Sequence, residues 1–176
     1  MSGKQSKPIF EPLRIAVLTV SDSRTPENDT SGDTLQERLE SAGHELADRD
    51  LIPDDIYLMR AVISAWIADE QTQCILITGG TGLTGRDHTP EAIRPLLDRE
   101  IPGFGELFRH YSLAEIGNST LQSRAFAGLA NATLIFALPG STGACRTAWD
   151  RILMDQLDAR TGPCNFVSLM PRFHEP

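Results

Sequence analysis

Residues 75–91 read ILITGGTGLTGRDHTPE: a short apolar run, a glycine-rich turn, an Arg-Asp pair, then a Thr-Pro-Glu that opens the next periodic segment. No other stretch narrows the possible folds as much, because a buried strand that empties into a glycine turn and then a helix belongs to few architectures. Glycines at 79, 80, 82 and 85 are expected to let the backbone take positive φ and approach a ligand closely, with successive amides turned into one concavity where a phosphate fits. Thr89 and Pro90 read as an N-cap and first helical residue, so a helix dipole is expected to favour the same anion. Asp87 follows within reach of that cradle. A carboxylate beside a phosphate repels it unless a divalent cation lies between them, so magnesium is implied.

Two familiar nucleotide loops fit less well. Gly80, Gly82 and Gly85 satisfy GxGxxG, which would make the chain an NAD-dependent Rossmann oxidoreductase, but residues 86–90 separate the glycines from the helix. The segment 103–116, where the acidic residue ending the next strand should fall, has helical periodicity instead. A Walker A loop is excluded because the only lysines are Lys4 and Lys7. A plain strand-to-helix connection needs fewer than four glycines and no Arg-Asp pair.

The rest of the chain places this loop in a layered fold. Residues 14–20 (RIAVLTV) read as a buried first strand, followed by a polar loop over 21–32 that brings Asp22 and Asp29 to the strand's carboxyl end. A helix over about 31–42, a half-exposed strand over 44–52 and a helix over about 54–69 come next, the last with Ile56, Met59, Ile63, Trp66 and Ile67 at helical spacing. The strand 74–78 and a helix over 89–97 complete a βαβαβα order. Beyond them lie a helical stripe (Phe104, Leu107, Phe108, Tyr111), a polar segment over 117–124, a strand over 132–138 and a helix over 142–157. This alternation predicts an α/β fold: a three-layer αβα sandwich around a mainly parallel sheet, in which ligands sit at the carboxyl ends of the strands. Residues 1–12 are expected to form a polar, mobile tail and residues 13–176 a single domain.

Composition limits the function classes. A net charge of −8 argues against nucleic-acid or membrane-surface partners, and the longest apolar run falls well short of the ~20 residues that span a bilayer. With no apolar core of a signal peptide in the first ten residues, a cytoplasmic protein is expected. Cys74, Cys145 and Cys164, and the four histidines, have no metal-ligand spacing. Fourteen of the 16 basic residues are arginines, among them Arg24, Arg86, Arg124 and Arg146 beside turns or strand ends, where a forked contact to phosphate is available.

TVSDSR with DTSG, LIPDD, TGGTGLTGRDHTPE, PGFGE, TLQSRAFAG and ALPGS occur in that order across nearly the whole chain. Together they resemble the MoaB/MogA family, the molybdopterin adenylyltransferase-like proteins of molybdenum cofactor biosynthesis. LDARTGPCNF and STGACRTAW are more similar to the MoaB branch. The resemblance implies a molybdopterin-binding-domain fold and Mg2+-ATP-dependent adenylylation of molybdopterin at its terminal phosphate, with ATP and molybdopterin as substrates. It implies Asp54 and Asp87 as catalytic and metal-binding carboxylates. It implies ligand contacts from Ser21, Asp22, Thr78, Gly79, Gly80, Thr81 and Gly82, from Ser123 and Arg124, and from the turn Pro139, Gly140, Ser141. Some of these residues have local explanations too: Asp54 and Ser141 as helix caps, Ser123 and Arg124 as a turn before a strand. The resemblance also implies a homotrimer or hexamer and other cofactor-biosynthesis proteins as partners. Because some MoaB-branch proteins resemble companions to a separate adenylyltransferase, a non-catalytic molybdopterin- or precursor-binding protein is the alternative.

Overall fold

The computed structural model describes residues 8–175. Six strands form one sheet: β1 (Arg14–Val20), β2 (Glu45–Ile52), β3 (Cys74–Thr78), β4 (Arg99–Glu100), β5 (Phe126–Ala130) and β6 (Thr133–Leu138), in the order β2-β1-β3-β6-β5-β4. The first four of that order run parallel to one another, and β5 alone runs against its neighbours. β3 and β6 are buried along their whole length, as is β1 after Arg14, which is why these segments read as continuous apolar runs. β2, at the edge, has an exposed or half-exposed residue at every position before Ile52.

Because side chains alternate across a strand, each central strand feeds two cores. Ile15, Val17, Leu76 and Phe136 join one cluster, with Leu35 and Leu39 of α1 (Thr30–Ser41), Phe104 and Phe108 of α4 (Pro102–Ile116), and Cys145 and Ala148 of α5 (Thr142–Ala148). Ala16, Leu18, Ile75, Ile77 and Ile135 join the other, with Met59, Ile63 and Trp66 of α2 (Ile56–Ala68) and Ala92 and Ile93 of α3 (Thr89–Ile93). The αβα layering expected from the sequence is therefore present. Each of these leucines, isoleucines and phenylalanines contributes roughly 1.5–3 kcal/mol by leaving water. α5 continues through a π-helical stretch (Trp149–Leu153) into α6 (Met154–Gln156), and α7 (Phe166–Leu169) lies near the C-terminus.

Several boundaries differ from the sequence reading, each for a physical reason. β5 went unrecognised because FAGLA has no polar alternation and its connection to β6 is two residues long. Asn131 and Ala132, at φ 46° and 63°, form that turn without the glycine that usually marks it. The two-residue β4 is too short to leave a pattern. In the stripe on α4, Phe104 and Phe108 are buried but Leu107 is exposed and Tyr111 half-buried, with the Arg151 guanidinium 5.0 Å from the Tyr111 ring centre. Of the expected N-terminal tail, residues 1–7 lie outside the described residues. Phe10 packs against the His44 ring, with centroids 5.1 Å apart.

The strand order fixes where a ligand can sit. From β1 the chain steps outward to β2, then returns to place β3 on the other side of β1. The connections that follow β1 and β3 leave in opposite directions, opening a crevice at their carboxyl ends.

Candidate functional site

The turn after β3 forms the floor of that crevice. Gly79 and Gly80 have φ of 110° and 64°. A Cβ at Gly79 would lie 2.0 Å from the Val20 carbonyl oxygen, and one at Gly80 2.4 Å from Thr89 Oγ1 and 2.6 Å from Asp54 Oδ2. Both positions therefore demand glycine. Gly82 is needed for a different reason, since a Cβ there would meet Asp87 Oδ2 at 2.7 Å, whereas Gly85 has open space around it. Positive φ at all four glycines, expected from the sequence, is thus confined to Gly79 and Gly80.

Hydrogen bonds then shape the turn. The Gly79 amide donates to Leu138 O, while the Thr89 amide donates to Gly80 O and the Arg124 amide to Thr81 O. Among the described residues, the amides of Gly80 and Thr81 donate to no protein acceptor. Two consecutive free donors in a glycine turn are what an anion requires. The helix contributes less than expected. Thr89 is the first residue of α3 and not its cap; its hydroxyl donates to Gly79 O at 2.8 Å, and five residues build only a small dipole.

Asp87 lines the crevice. Its Oδ2 accepts from the Thr84 amide (2.8 Å) and hydroxyl (2.6 Å). Burial pushes its carboxyl up, but the bonds from Thr84 and the Gly82 amide, with the Arg124 charge, outweigh that and hold it below the usual carboxylate range. Asp54 lies behind the turn instead. Its side chain is buried, with His88 Nδ1 at 2.7 Å from Oδ1 and the His88 amide at 3.2 Å. The cap of α2 is Asp55, which accepts from the Tyr57 and Leu58 amides, so Asp54 is free of that duty.

Two expected contact residues act as ties between loops. Asp22 accepts from the Asp54 amide at 3.0 Å and pairs with Arg86 at 2.6 Å, and these two interactions lower its pKa. Arg124 donates to Gly82 O at 2.8 Å and Asp87 O at 2.7 Å, and pairs with Glu91. It grips the glycine turn from behind. Neither lines the crevice, and neither does Asp54. Ser21, Thr78, Gly79, Gly80, Thr81, Gly82, Ser123, Pro139, Gly140 and Ser141 do line it, around a cavity of about 470 Å³. The Ser141 hydroxyl caps α5 by accepting from the Ala144 amide at 3.2 Å.

Sequence reasoning missed one wall of this cavity. Phe108, Ser112, Glu115 and Ile116 of α4 line it opposite Gly143 and Ala144 of α5. The signal was available: Phe108, Ser112 and Glu115 share one helix face, and a buried serine continues an apolar stripe there. Arg24, Asp87 and Glu115 are the charged residues of the lining. Arg24 bridges the loop after β1 to the turn after β6, donating to Gly140 O at 3.1 Å and to the Thr30 hydroxyl at 3.3 Å. The loop itself is held by Asp29, buried at the α1 N-cap, which accepts from the Gly32 amide, the Thr19 hydroxyl and Arg49.

A larger hollow, about 600 Å³, lies beyond Ser123 and Arg124. Its cations are already satisfied: Arg94 pairs with Glu100, Arg124 with Glu91, and Arg109 donates to the Ser123 and Ala125 carbonyls. The crevice, with free amides and glycine floor, is the better anion site despite its smaller volume.

Residues 16–159 match the family described as a probable molybdopterin binding domain. The chain belongs to this family. It is 60% identical over 157 residues to molybdenum cofactor biosynthesis protein B of Escherichia coli (strain K12), covering 89% of this chain and 92% of that protein. To the protein of the same name in Bacillus subtilis (strain 168) it is 43% identical over 146 residues, covering 82% and 86%. Among solved structures, one of a molybdenum cofactor biosynthesis protein B superposes with a TM-score of 0.84 at 36% identity, covering 98% of this chain and 100% of that one. The tungsten cofactor synthesizing protein MoaB from Pyrococcus furiosus gives 0.72 at 34% identity, covering 82% and 92%. The six-stranded, mostly parallel sheet with helices on both faces is the fold of these proteins.

Among the described residues, no helix is long and apolar enough to cross a membrane, and no three His, Cys, Asp or Glu side chains gather as a metal-ligand group.

Proposed function

We propose that this protein acts in molybdenum cofactor biosynthesis by adenylylating molybdopterin with Mg2+-ATP in the crevice between β1 and β3. The observation that carries the reading is the pair of free amides at Gly80 and Thr81 beside a carboxylate, Asp87, held ionised at the same cavity wall. Family membership and the relatives named for cofactor biosynthesis support it. In the reaction, a terminal phosphate oxygen of molybdopterin forms a bond to the α-phosphorus of ATP. The bond from that phosphorus to the β-bridging oxygen breaks, and its electron pair leaves with pyrophosphate. A phosphate monoester is already ionised near neutral pH, so the residues need supply alignment and charge neutralisation and no strong base.

The donor set fits magnesium. This ion commonly rests on one or two carboxylates together with substrate phosphates and water, so a dedicated protein cage is unnecessary. Asp87 would hold it from the cavity wall; Asp54, whose carboxylate is turned to His88 behind Gly80, would join it only on leaving that ring. When bound, it neutralises charge on the phosphates. The backbone of the turn would orient the phosphate, Arg24 lines the cavity while paired with Asp29 at 3.6 Å, and Arg124 keeps the turn in register by gripping two of its carbonyls.

A second reading, a pterin-binding protein without catalysis, is favoured by one observation: the Asp54 carboxylate is engaged by His88 and does not line the cavity. The deciding experiment is pyrophosphate release from ATP with molybdopterin and magnesium. Release that falls about 100-fold or more in Asp87→Asn, with unchanged folding, is the expected result. No release by the wild-type protein, under conditions where a related adenylyltransferase turns over, assigns the binding role.

A further inference from the structure

Asp54 is kept from the crevice by its neighbours. Its side chain is only 4% exposed, and its Oδ2 would lie 2.6 Å from a Cβ at Gly80, so the carboxylate rests against the turn where glycine leaves room for it. One residue holds it there. The His88 amide lies 3.2 Å from Oδ1 and 3.3 Å from Oδ2, and the ring Nδ1 lies 2.7 Å from Oδ1. A carboxylate so engaged has little acceptor capacity left for a metal ion. Among the described residues no arginine pairs with Asp54, so His88 alone decides where it points.

The amide and the ring of His88 differ in freedom. The amide belongs to the backbone just before α3, whereas the ring is 34% exposed and, among the described residues, makes no second hydrogen bond. The ring can therefore swing into water without breaking any other bond. The main chain at Asp54 is fixed separately, by the bond from its amide to Asp22 and by the Asp55 cap of α2. Release of the ring thus frees a side chain and not a loop. Resting on the Mg2+-nucleotide reading above, we infer that His88 is a positioning residue: its ring latches Asp54 behind the glycine turn, and Asp54 reaches the metal beside Asp87 once the ring lets go. Such a latch has an electrostatic use. With Asp54 turned away, the free amides of Gly80 and Thr81 meet a phosphate with one carboxylate fewer at hand, and the second arrives only with the cation that neutralises it.

The test measures binding of α,β-methylene-ATP, which cannot undergo the cleavage, to the full chain by calorimetry, once with Mg2+ and once with EDTA. The ratio of the two affinities reports the contribution of the metal. His88→Ala removes the ring, keeps the amide and lets water take the vacated space, so this ratio should rise roughly 10-fold, the range for one hydrogen bond to a charged group. His88→Asn, which keeps a hydrogen-bonding group near the position of Nδ1, should stay close to wild type. The gain should vanish when His88→Ala is combined with Asp54→Asn, where no second carboxylate is released. Damage to folding lowers affinity and cannot produce a gain; urea midpoints identify it, and His88→Ser repeats the test if the alanine variant unfolds. An unchanged or reduced ratio in His88→Ala, with the metal effect still lost in Asp87→Asn, overturns the latch alone. A gain that survives Asp54→Asn does the same. No metal dependence in any variant overturns the latch together with the magnesium reading.

Discussion

Asp54 and Asp55 are adjacent in the chain and do different work. Asp55 accepts from two amides at the start of α2, a bond pair at the protein surface, while Asp54 turns inward against Gly80 and His88. Removing the cap by Asp55→Ala should cost about 1 kcal/mol of stability and leave pyrophosphate release almost unchanged. Asp54→Ala should instead cut release by roughly 100-fold, close to 3 kcal/mol in barrier height. Urea unfolding and the release assay on both variants check the pair; damage to activity from Asp55→Ala would move the second carboxylate by one residue. Through the family resemblance, the motif LIPDD selects Asp54 of the two as the residue facing the glycine turn. The structure turns Asp54 to Gly80 and leaves Asp55 at the start of α2, and it adds the His88 ring that the sequence does not connect with Asp54.

The glycine turn as an element shows the same division. Its position after a buried strand and its glycine content were legible, because composition and strand periodicity are local properties. The individual reasons for each glycine were not. Gly79→Ala places a methyl group 2.0 Å from a carbonyl that belongs to β1, at a φ of 110°, and should destabilise the protein by about 2–5 kcal/mol. Gly85→Ala meets nothing and should change stability by less than ~1 kcal/mol. Denaturant midpoints of the two variants measure the contrast; equal effects would mean that the turn is not held against β1. The α4 wall illustrates the opposite limit. Glu115 belongs to no motif quoted from the sequence, and its place in the cavity arises from packing of α4 against α5, elements separated by a hairpin.

At the scale of the molecule, the N-terminal segment is tied to the core through His44. Its Nδ1 accepts from the Leu13 amide at 3.1 Å, and the ring packs between Phe10 and Trp149. Burial lowers the His44 pKa from 6.5, opposed by the nearby Asp158 charge. The unfolded chain therefore takes up this proton first, so stability should fall as pH drops below about 6.5 and level off below the folded-state pKa. His44→Asn, which keeps an acceptor for Leu13 but does not titrate, should remove that slope between pH 7 and 5 in thermal unfolding. The assembly is a further expectation: light scattering should give three or six times the mass of the chain, and a monomer at micromolar concentration would reject it.

The sequence by itself determined the layered α/β class, the four parallel strands, the glycine turn and the family, since each is written in local periodicity or in contiguous motifs. Tertiary structure alone decided the antiparallel hairpin of β5 and β6, the role of Arg124 as a brace, and the cavity wall that includes Glu115. The last two depend on contacts between residues 30 or more positions apart, as between Arg124 and Gly82 or Glu115 and Thr147, whose pairing no single segment encodes. Chain crossover at the β1–β3 switch point brings them together, and the physical reason is topological: two loops leaving a sheet in opposite directions leave a crevice that neither loop contains.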